Sequence, residues 1–385
     1  MGKVTAYNLI DVLPENSWFR DWMSIWPTAE PPKSFILFSG MSMLGAVLGR
    51  GVWLDQDVHT LYPMLNLLLI GPSGCGKSTA IKHIGFQCLQ ALPPVERPQL
   101  VEGAATPQAL HSDLAVNPHA IVFASELANF FTKEKFMIGM IPYVTELLDY
   151  GPMEKRTLGG GLIRFEEPAA TIVGGSTLEW LQDQLPDTAT SGGFLARFLI
   201  VSEEHKGQKI ALPNRVLSPR QMRALDKKRT EVFTGFQQMV DFHYGAIDFA
   251  DYEAVDAYSE WYSLYTPATG HLAPFAARAG EFVLRLSMLL ALSCGCHTIL
   301  QEHVVSAIQL YGYCADKLQA IVVPMSVKGK MLAQVLHAVG QEPMPMKKLY
   351  AALRNSMPAQ DVDQMLASLV QDGSLKRDKE GNVWR

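Results

Sequence analysis

The chain has 385 residues, of which 48% are hydrophobic and 18% charged, and its formal net charge is −5. That length exceeds what one small core serves, so two or three domains are expected, and the composition excludes a disordered chain. The acidic balance excludes a global basic field directed at nucleic acid, although basic residues outnumber acidic ones locally over 203–229 and 326–385.

In chain order, Trp18, Phe19, Trp22, Met23 and Trp26 recur at helical spacing before Pro27, Pro31 and Pro32 break the pattern. A second apolar helix is predicted from about Ser34 to Leu48, and Gly51 to Asp55 reads as a short strand. Strands are then predicted at 64–70, 98–102, 119–124, 169–174 and 197–202, alternating with helices. Such alternation argues for an α/β core with a mostly parallel sheet. Past Pro213 the pattern turns wholly helical, near 219–242, 250–264, 272–296 and 301–320. The tail predicts helices at 327–339, 346–354 and 359–371, then two short strands around a turn at Asp378–Gly381, which spells a winged helix. The expected divisions are a helical lead-in over 1–60, a nucleotide-binding core over 61–212, a helical unit over 213–325 and a winged-helix domain over 326–385.

The five cysteines (Cys75, Cys88, Cys294, Cys296 and Cys314) lack the spacing of a zinc site and suggest a reducing compartment. The first residues carry no basic-then-apolar leader pattern, and the longest apolar run, Phe282–Cys296, contains Arg285 and is too short to span a bilayer. A cytoplasmic protein without a membrane partner is expected.

The strongest motif is Gly71, Pro72, Ser73, Gly74, Cys75, Gly76, Lys77, Ser78 and Thr79, which fits G-x-x-x-x-G-K-[ST] in full between a predicted strand and a predicted helix. Glycines let successive backbone N–H groups turn toward phosphates, and a helix N-terminus favours negative charge. Lys77 is expected on the β- and γ-phosphates and Ser78 on Mg²⁺, so the chain is expected to bind ATP with Mg²⁺. The apolar segment Ala120–Glu126 ends in a carboxylate, and Glu126 is the candidate base for an attacking water and a second metal contact. Ser125 stands where many such enzymes place an Asp. Ala170–Thr177 ends in two hydroxyls, of which Thr177 or Ser176 can orient water or sense the γ-phosphate. Arg197, entering the last strand, is either a finger reaching a neighbour's phosphate or the partner of a local carboxylate.

The order of glycine loop, strand-Glu, strand-hydroxyl and Gly193-Phe-Leu-Ala-Arg-Phe198 resembles the AAA+ ring ATPases of the replicative-helicase branch, as in superfamily 3 viral and minichromosome-maintenance helicases. It is most similar to the helicase half of phage and mobile-element primase–helicases, over roughly residues 30 to 320. The resemblance implies an AAA+ fold with a helical lid and a homo-oligomeric ring, expected to be a hexamer. It also implies that Arg197 acts in trans, and that Arg285, with Arg278 in reserve, acts as a second sensor near the γ-phosphate. A channel hairpin is implied over 151–165, where Lys155, Arg156 and Arg164 would contact single-stranded DNA, with Lys133 and Lys135 as secondary candidates. The activity expected is an ATP-dependent DNA helicase or translocase for phage or mobile-element replication, alongside other replication proteins. Two alternatives stand: an ATPase that loads, remodels or regulates a replication or defence complex without unwinding, and an ATP-controlled nucleic-acid-binding switch.

Overall fold

The computed structural model describes residues 8–102, 106–127, 139–157, 161–185, 193–242, 244–325, 327–354, 356–371, 373–378 and 381–385. Near the N-terminus, α1 (Trp18–Ser24) begins where the Ser17 hydroxyl accepts from the Phe19 amide, and it buries Trp18, Phe19, Trp22 and Met23. α2 (Lys33–Leu48) is buried from Ser34 to Leu48. A helix that is apolar all round has no solvent face, so it lies inside the molecule. The short strand Val52–Asp55 pairs with Thr60–Leu61 and Gly245–Ala246 in a small separate sheet.

The central sheet begins with β1 (Leu67–Ile70), buried at every position. After β2 (Gln99–Glu102) comes α3 (Pro107–Val116), capped by the Thr106 hydroxyl, and then β3 (His119–Ala124). α4 (Met140–Leu147) leads to a two-stranded antiparallel hairpin, β4 (Met153–Thr157) with β5 (Gly161–Phe165). β6 (Ala169–Ser176), α5 (Leu178–Gln184) and β7 (Leu199–Ser202) complete the unit. The sheet order is β2–β3–β6–β1–β7, and every pairing is parallel. A parallel sheet of this kind needs both faces covered, which explains strands that read as unbroken apolar runs.

Alternation along β1 divides the two cores. Leu67 and Leu69 point into a cluster shared with α1 and α2, whereas Leu68 and Ile70 point into one shared with α3, α4 and α5. The first cluster also takes in the helices beyond residue 213: α6 (Pro219–Phe242), α8 (Ala279–Ser293) and α9 (Gln301–Met325), with α7 (Tyr252–Leu264) against them. The Trp18 indole donates to the Val232 carbonyl of α6 at 2.8 Å, and Trp18 and Phe236 rings meet at 5.3 Å. The segment before residue 60, one sheet face and much of 213–325 therefore share one continuous core. By contrast, α10 (Val327–Ala338), α11 (Met346–Leu353), α12 (Ala359–Gln371) and the antiparallel pair β8 (Lys376–Arg377) and β9 (Val383–Trp384) enclose their own cluster around Leu349, Leu366 and Val383.

Among the described residues no helix is long and apolar enough to cross a membrane.

His303 on α9 is fully buried, and its Nδ1 accepts from the Leu300 amide at 3.0 Å at the start of that helix. Burial depresses its pKa to about 4 from an ordinary 6.5. The unfolded chain then binds more protons between those two values, so stability is complete above pH 6.5 and is lost as pH falls toward 4. The loss is expected to be on the order of 3 kcal/mol. Chemical denaturation at pH 7 and pH 4.5 should show a smaller acid loss in His303→Asn, whose side-chain oxygen keeps the acceptor without the titration.

Candidate functional site at the two edges of the sheet

The glycine loop leaves the C-terminal end of β1, where Ile70 lies beside Ser176 of β6 and Ser202 of β7. Gly74 and Gly76 hold φ of 79° and 99°, backbone conformations that L side chains resist. Pro72, Ser73, Gly74, Ser78 and Thr79 have exposed or nearly exposed positions, while Cys75 and Lys77 are buried. The Lys77 ammonium turns back onto its own loop, donating to the carbonyls of Gly71 at 2.6 Å and Pro72 at 3.1 Å. Its stem runs along β6, where a Cβ on Gly175 would lie 3.1 Å from the Lys77 Cβ. Gly175 thus admits the lysine between loop and strand. The Cys75 thiol packs against Gly71, and burial raises its pKa. The chain beyond the loop continues as a π-helical turn, Thr79–Gly85, followed by Gln87–Gln90, where one uninterrupted α-helix is predicted.

β3 and β6 deliver the next residues to the same edge. Glu126 follows β3 and is half-buried, and its carboxylate accepts a hydrogen bond from the Ser176 hydroxyl at the tip of β6. Thr177, the other hydroxyl that the sequence offered, is instead the N-cap of α5 and accepts from the Trp180 amide at 3.2 Å. The chain leaves the sheet after Ser176, so successive side chains part: one stays over the strand ends and the next turns to close the helix. Ser125 is exposed. Among the described residues no group of three or more His, Cys, Asp or Glu could hold a metal ion alone. The available donors, the exposed Ser78 hydroxyl and the Glu126 carboxylate, suit Mg²⁺, which takes few protein ligands and completes its shell from phosphate and water.

The arginines lie elsewhere. Arg197 precedes β7 and sits at the opposite, N-terminal edge, where its guanidinium grips Asp149 through contacts of 2.8, 2.9 and 3.0 Å. Arg278 lies 3.9 Å from Asp149 and 3.4 Å from Glu281, and Arg285 lies 3.9 Å from Glu281. Burial, and next the Arg197 charge, lower the pKa of Arg278. Arg285 also donates to the carbonyls of Tyr62 at 2.9 Å and Met64 at 2.7 Å, in the segment entering β1. The four residues of β1 span about 13 Å, so Arg285 and the glycine loop of its own chain stand at opposite ends of that strand. The structure groups Arg285 with Arg197 and Arg278, not with Lys77.

Asn66 organises this second edge, although the sequence assigns it no role. Its side chain accepts from the Ile172 amide at 2.9 Å and donates to the Tyr150 hydroxyl at 3.3 Å and the Arg197 carbonyl at 3.4 Å. Asp149, Tyr150 and Glu281 were likewise missed, because each meets its partner only through the fold.

The basic residues of the hairpin are largely engaged. Arg164 pairs with Glu166 at 2.7 Å and approaches Glu154 at 3.8 Å across the strands. Lys155 lies 5.1 Å from the Tyr143 ring centroid, and burial lowers its pKa. Arg156 is exposed and has no ion pair among the described residues. The hairpin is held by buried His111 of α3, whose ring nitrogens lie 3.2 Å from the Tyr143 hydroxyl and 3.1 Å from the Ile163 carbonyl. Lys133 and Lys135 lie outside the described residues.

Compared with protein-family models and with curated proteins, the chain matches none of either.

Asn66→Ala should leave the buried Ile172 amide without its acceptor and cost about 1–3 kcal/mol of stability. Denaturant titration checks this, and a loss under 0.5 kcal/mol (roughly the scatter of neutral surface changes) would contradict the role given to Asn66.

Proposed function

We propose that this chain is a Mg²⁺-dependent ATPase of AAA+ type that assembles head to tail into a ring and works as a translocase or helicase on single-stranded DNA. The observation that carries the reading is the division of the charged residues between the two sheet edges. Lys77, Ser78, Glu126 and Ser176 lie at one edge, and Arg197, Arg278 and Arg285 at the other. Within one chain the two sets cannot share a phosphate. In a head-to-tail pair, the arginine edge of one copy faces the glycine loop of the next, and heterologous contacts of this kind close into rings.

In that arrangement Lys77 exchanges the carbonyls of Gly71 and Pro72 for β- and γ-phosphate oxygens. Mg²⁺, when bound beside Ser78, offsets phosphate charge. Glu126, oriented by the Ser176 hydroxyl, accepts a proton from water as the water oxygen bonds to the γ-phosphorus and the β–γ bridging bond breaks. The neighbour's Arg197, released from Asp149, stabilises the charge that develops. Arg285 and Arg278 then belong to the neighbour's set, which revises the placement implied by resemblance. The helices of 213–325 serve as the lid, and residues 327–385 as a winged helix.

A second reading is favoured by the hairpin. Arg164 is neutralised by its own neighbours and Lys155 rests on an aromatic ring, which leaves Arg156 as the exposed cation for phosphate contact among the described residues. Weak hold on DNA suits an ATPase that loads or remodels a complex without unwinding.

Turnover should fall at least about 100-fold in Lys77→Ala and in Glu126→Gln. Arg197→Ala should be comparably slow alone, yet mixing it with Lys77→Ala should restore part of the activity, since mixed rings contain some intact interfaces. No recovery on mixing, together with monomeric particles, would rule out the ring. Stimulation by single-stranded DNA separates the translocase from the remodelling reading.

A further inference from the structure

Two surface strips of this chain lack partners, and each supplies what the other needs. The first runs from the segment after β7 into the first turns of α6. Lys209, Arg215, Arg220 and Arg223 are exposed there, and none enters an ion pair among the described residues. Leu212 and Val216 stand among these cations, 62% and 52% exposed. The second strip is the outer side of α7, a helix on which only Ala254 is buried. Glu253, Asp256 and Glu260 recur there at i, i+3 and i+7 and so share a face. They too are exposed and without ion pairs among the described residues. Tyr252, Tyr262 and Leu264 flank them, 86%, 59% and 74% exposed.

Charge alone describes an ordinary solvated face, but exposed aromatic and aliphatic side chains set among charges are the composition of contact surfaces. The two strips match in both respects: cations face carboxylates, and apolar side chains accompany each set. No hydrogen bond or ion pair joins them within one chain among the described residues. Their positions suit a neighbour instead. The basic strip leaves from the glycine-loop edge. There the Gly207 amide donates to the Glu30 carbonyl and the Ile210 amide to the Glu30 carboxylate, each at 3.0 Å. Pro31, the next residue, lies where a Cβ on Gly76 would come within 2.9 Å of it. The acidic strip adjoins the arginine edge. A Cβ on Gly280 would lie 2.7 Å from the Tyr258 hydroxyl of α7 and 2.9 Å from the Tyr262 ring, while Glu281, next in the chain, pairs with Arg278.

We infer that a second copy of this chain docks its acidic α7 strip onto the basic strip over 209–223, and that this contact forms without nucleotide. Neither strip contains a residue of the glycine loop or of the arginine edge, so nothing in the contact waits for a phosphate. The direction of docking rests on the head-to-tail arrangement proposed above. Opposite charges bring the two surfaces together and set their register, and the apolar side chains lose water on contact.

Sedimentation velocity on the full chain without nucleotide tests the contact. The unaltered chain should self-associate. Raising NaCl from about 0.1 M to about 1 M shortens the screening length from roughly 10 Å to roughly 3 Å and should weaken that association about tenfold or more. One variant reverses the acidic strip (Glu253→Lys, Asp256→Lys, Glu260→Lys) and another the basic strip (Arg215→Glu, Arg220→Glu, Arg223→Glu). Each alone should associate about tenfold more weakly or less, because its two strips then repel. An equimolar mixture should assemble again, since each variant meets a strip of opposite sign on the other, and this recovery also shows that both are folded. Association indifferent to salt overturns the contact, as do variants that assemble like the unaltered chain or a mixture that stays dissociated. An unaltered chain that is monomeric without nucleotide but assembles with a non-hydrolysable ATP analogue overturns this contact and leaves the ring. One that stays monomeric with the analogue overturns both.

Discussion

Burial of β1 on both faces is the constraint from which the rest of the molecule follows. Four consecutive apolar residues can be dry only if helices cover each side of the sheet, and they alternate between two cores. Neighbours β6 and β7 pair with β1 along its whole length. The strand is consequently immobilised from every direction, and whatever stands at its two ends is held rigidly. At one end stands the glycine loop with Lys77, and at the other Asn66 and the segment gripped by Arg285. In the proposed ring, such a spacer aligns charges across the subunit boundary.

The same constraint accounts for the character of the two edges. Loop residues at the C-terminal edge come from the ends of β1, β3, β6 and β7, where a parallel sheet brings its strand tips together. Lys77, Glu126, Ser176 and Glu203 meet there although they are far apart in the chain. At the other edge, basic side chains carry their own carboxylates, Asp149 and Glu281. Those pairs hold three arginines close together despite mutual repulsion. The Glu203–Lys317 cluster plays a different part, since it fastens α9 of the helical half to the sheet beside the glycine loop.

The three-helix unit with its small hairpin packs around a hydrophobic cluster of its own. Its last helix, α12, carries Asp361 and Asp363 and no basic residue. Exposed Lys376 and Arg377 of β8 are the basic part of that unit. A major-groove reading head is a poor description of such a helix.

Much of this architecture was legible in the sequence, because local pattern carries it. Apolar runs marked the five strands within a few residues, helical periodicity marked the long helices, and the glycine spacing marked the loop. What the sequence could not separate were neighbours with the same chemistry: Ser176 and Thr177 differ only in which side of the strand end they take, and packing assigns one to Glu126 and the other to a helix cap. Nor could it place Arg285, because helix periodicity reports a buried face and not which end of a distant strand that face meets. Partners such as Asp149 for Arg197 and Tyr313 for Glu203 have no fixed spacing, so no motif announces them. The sequence by itself determined the elements and the position of the glycine loop, through short-range spacing. Only the tertiary structure decided which side chains share an edge, because that depends on strand order and on the direction in which each chain end leaves the sheet.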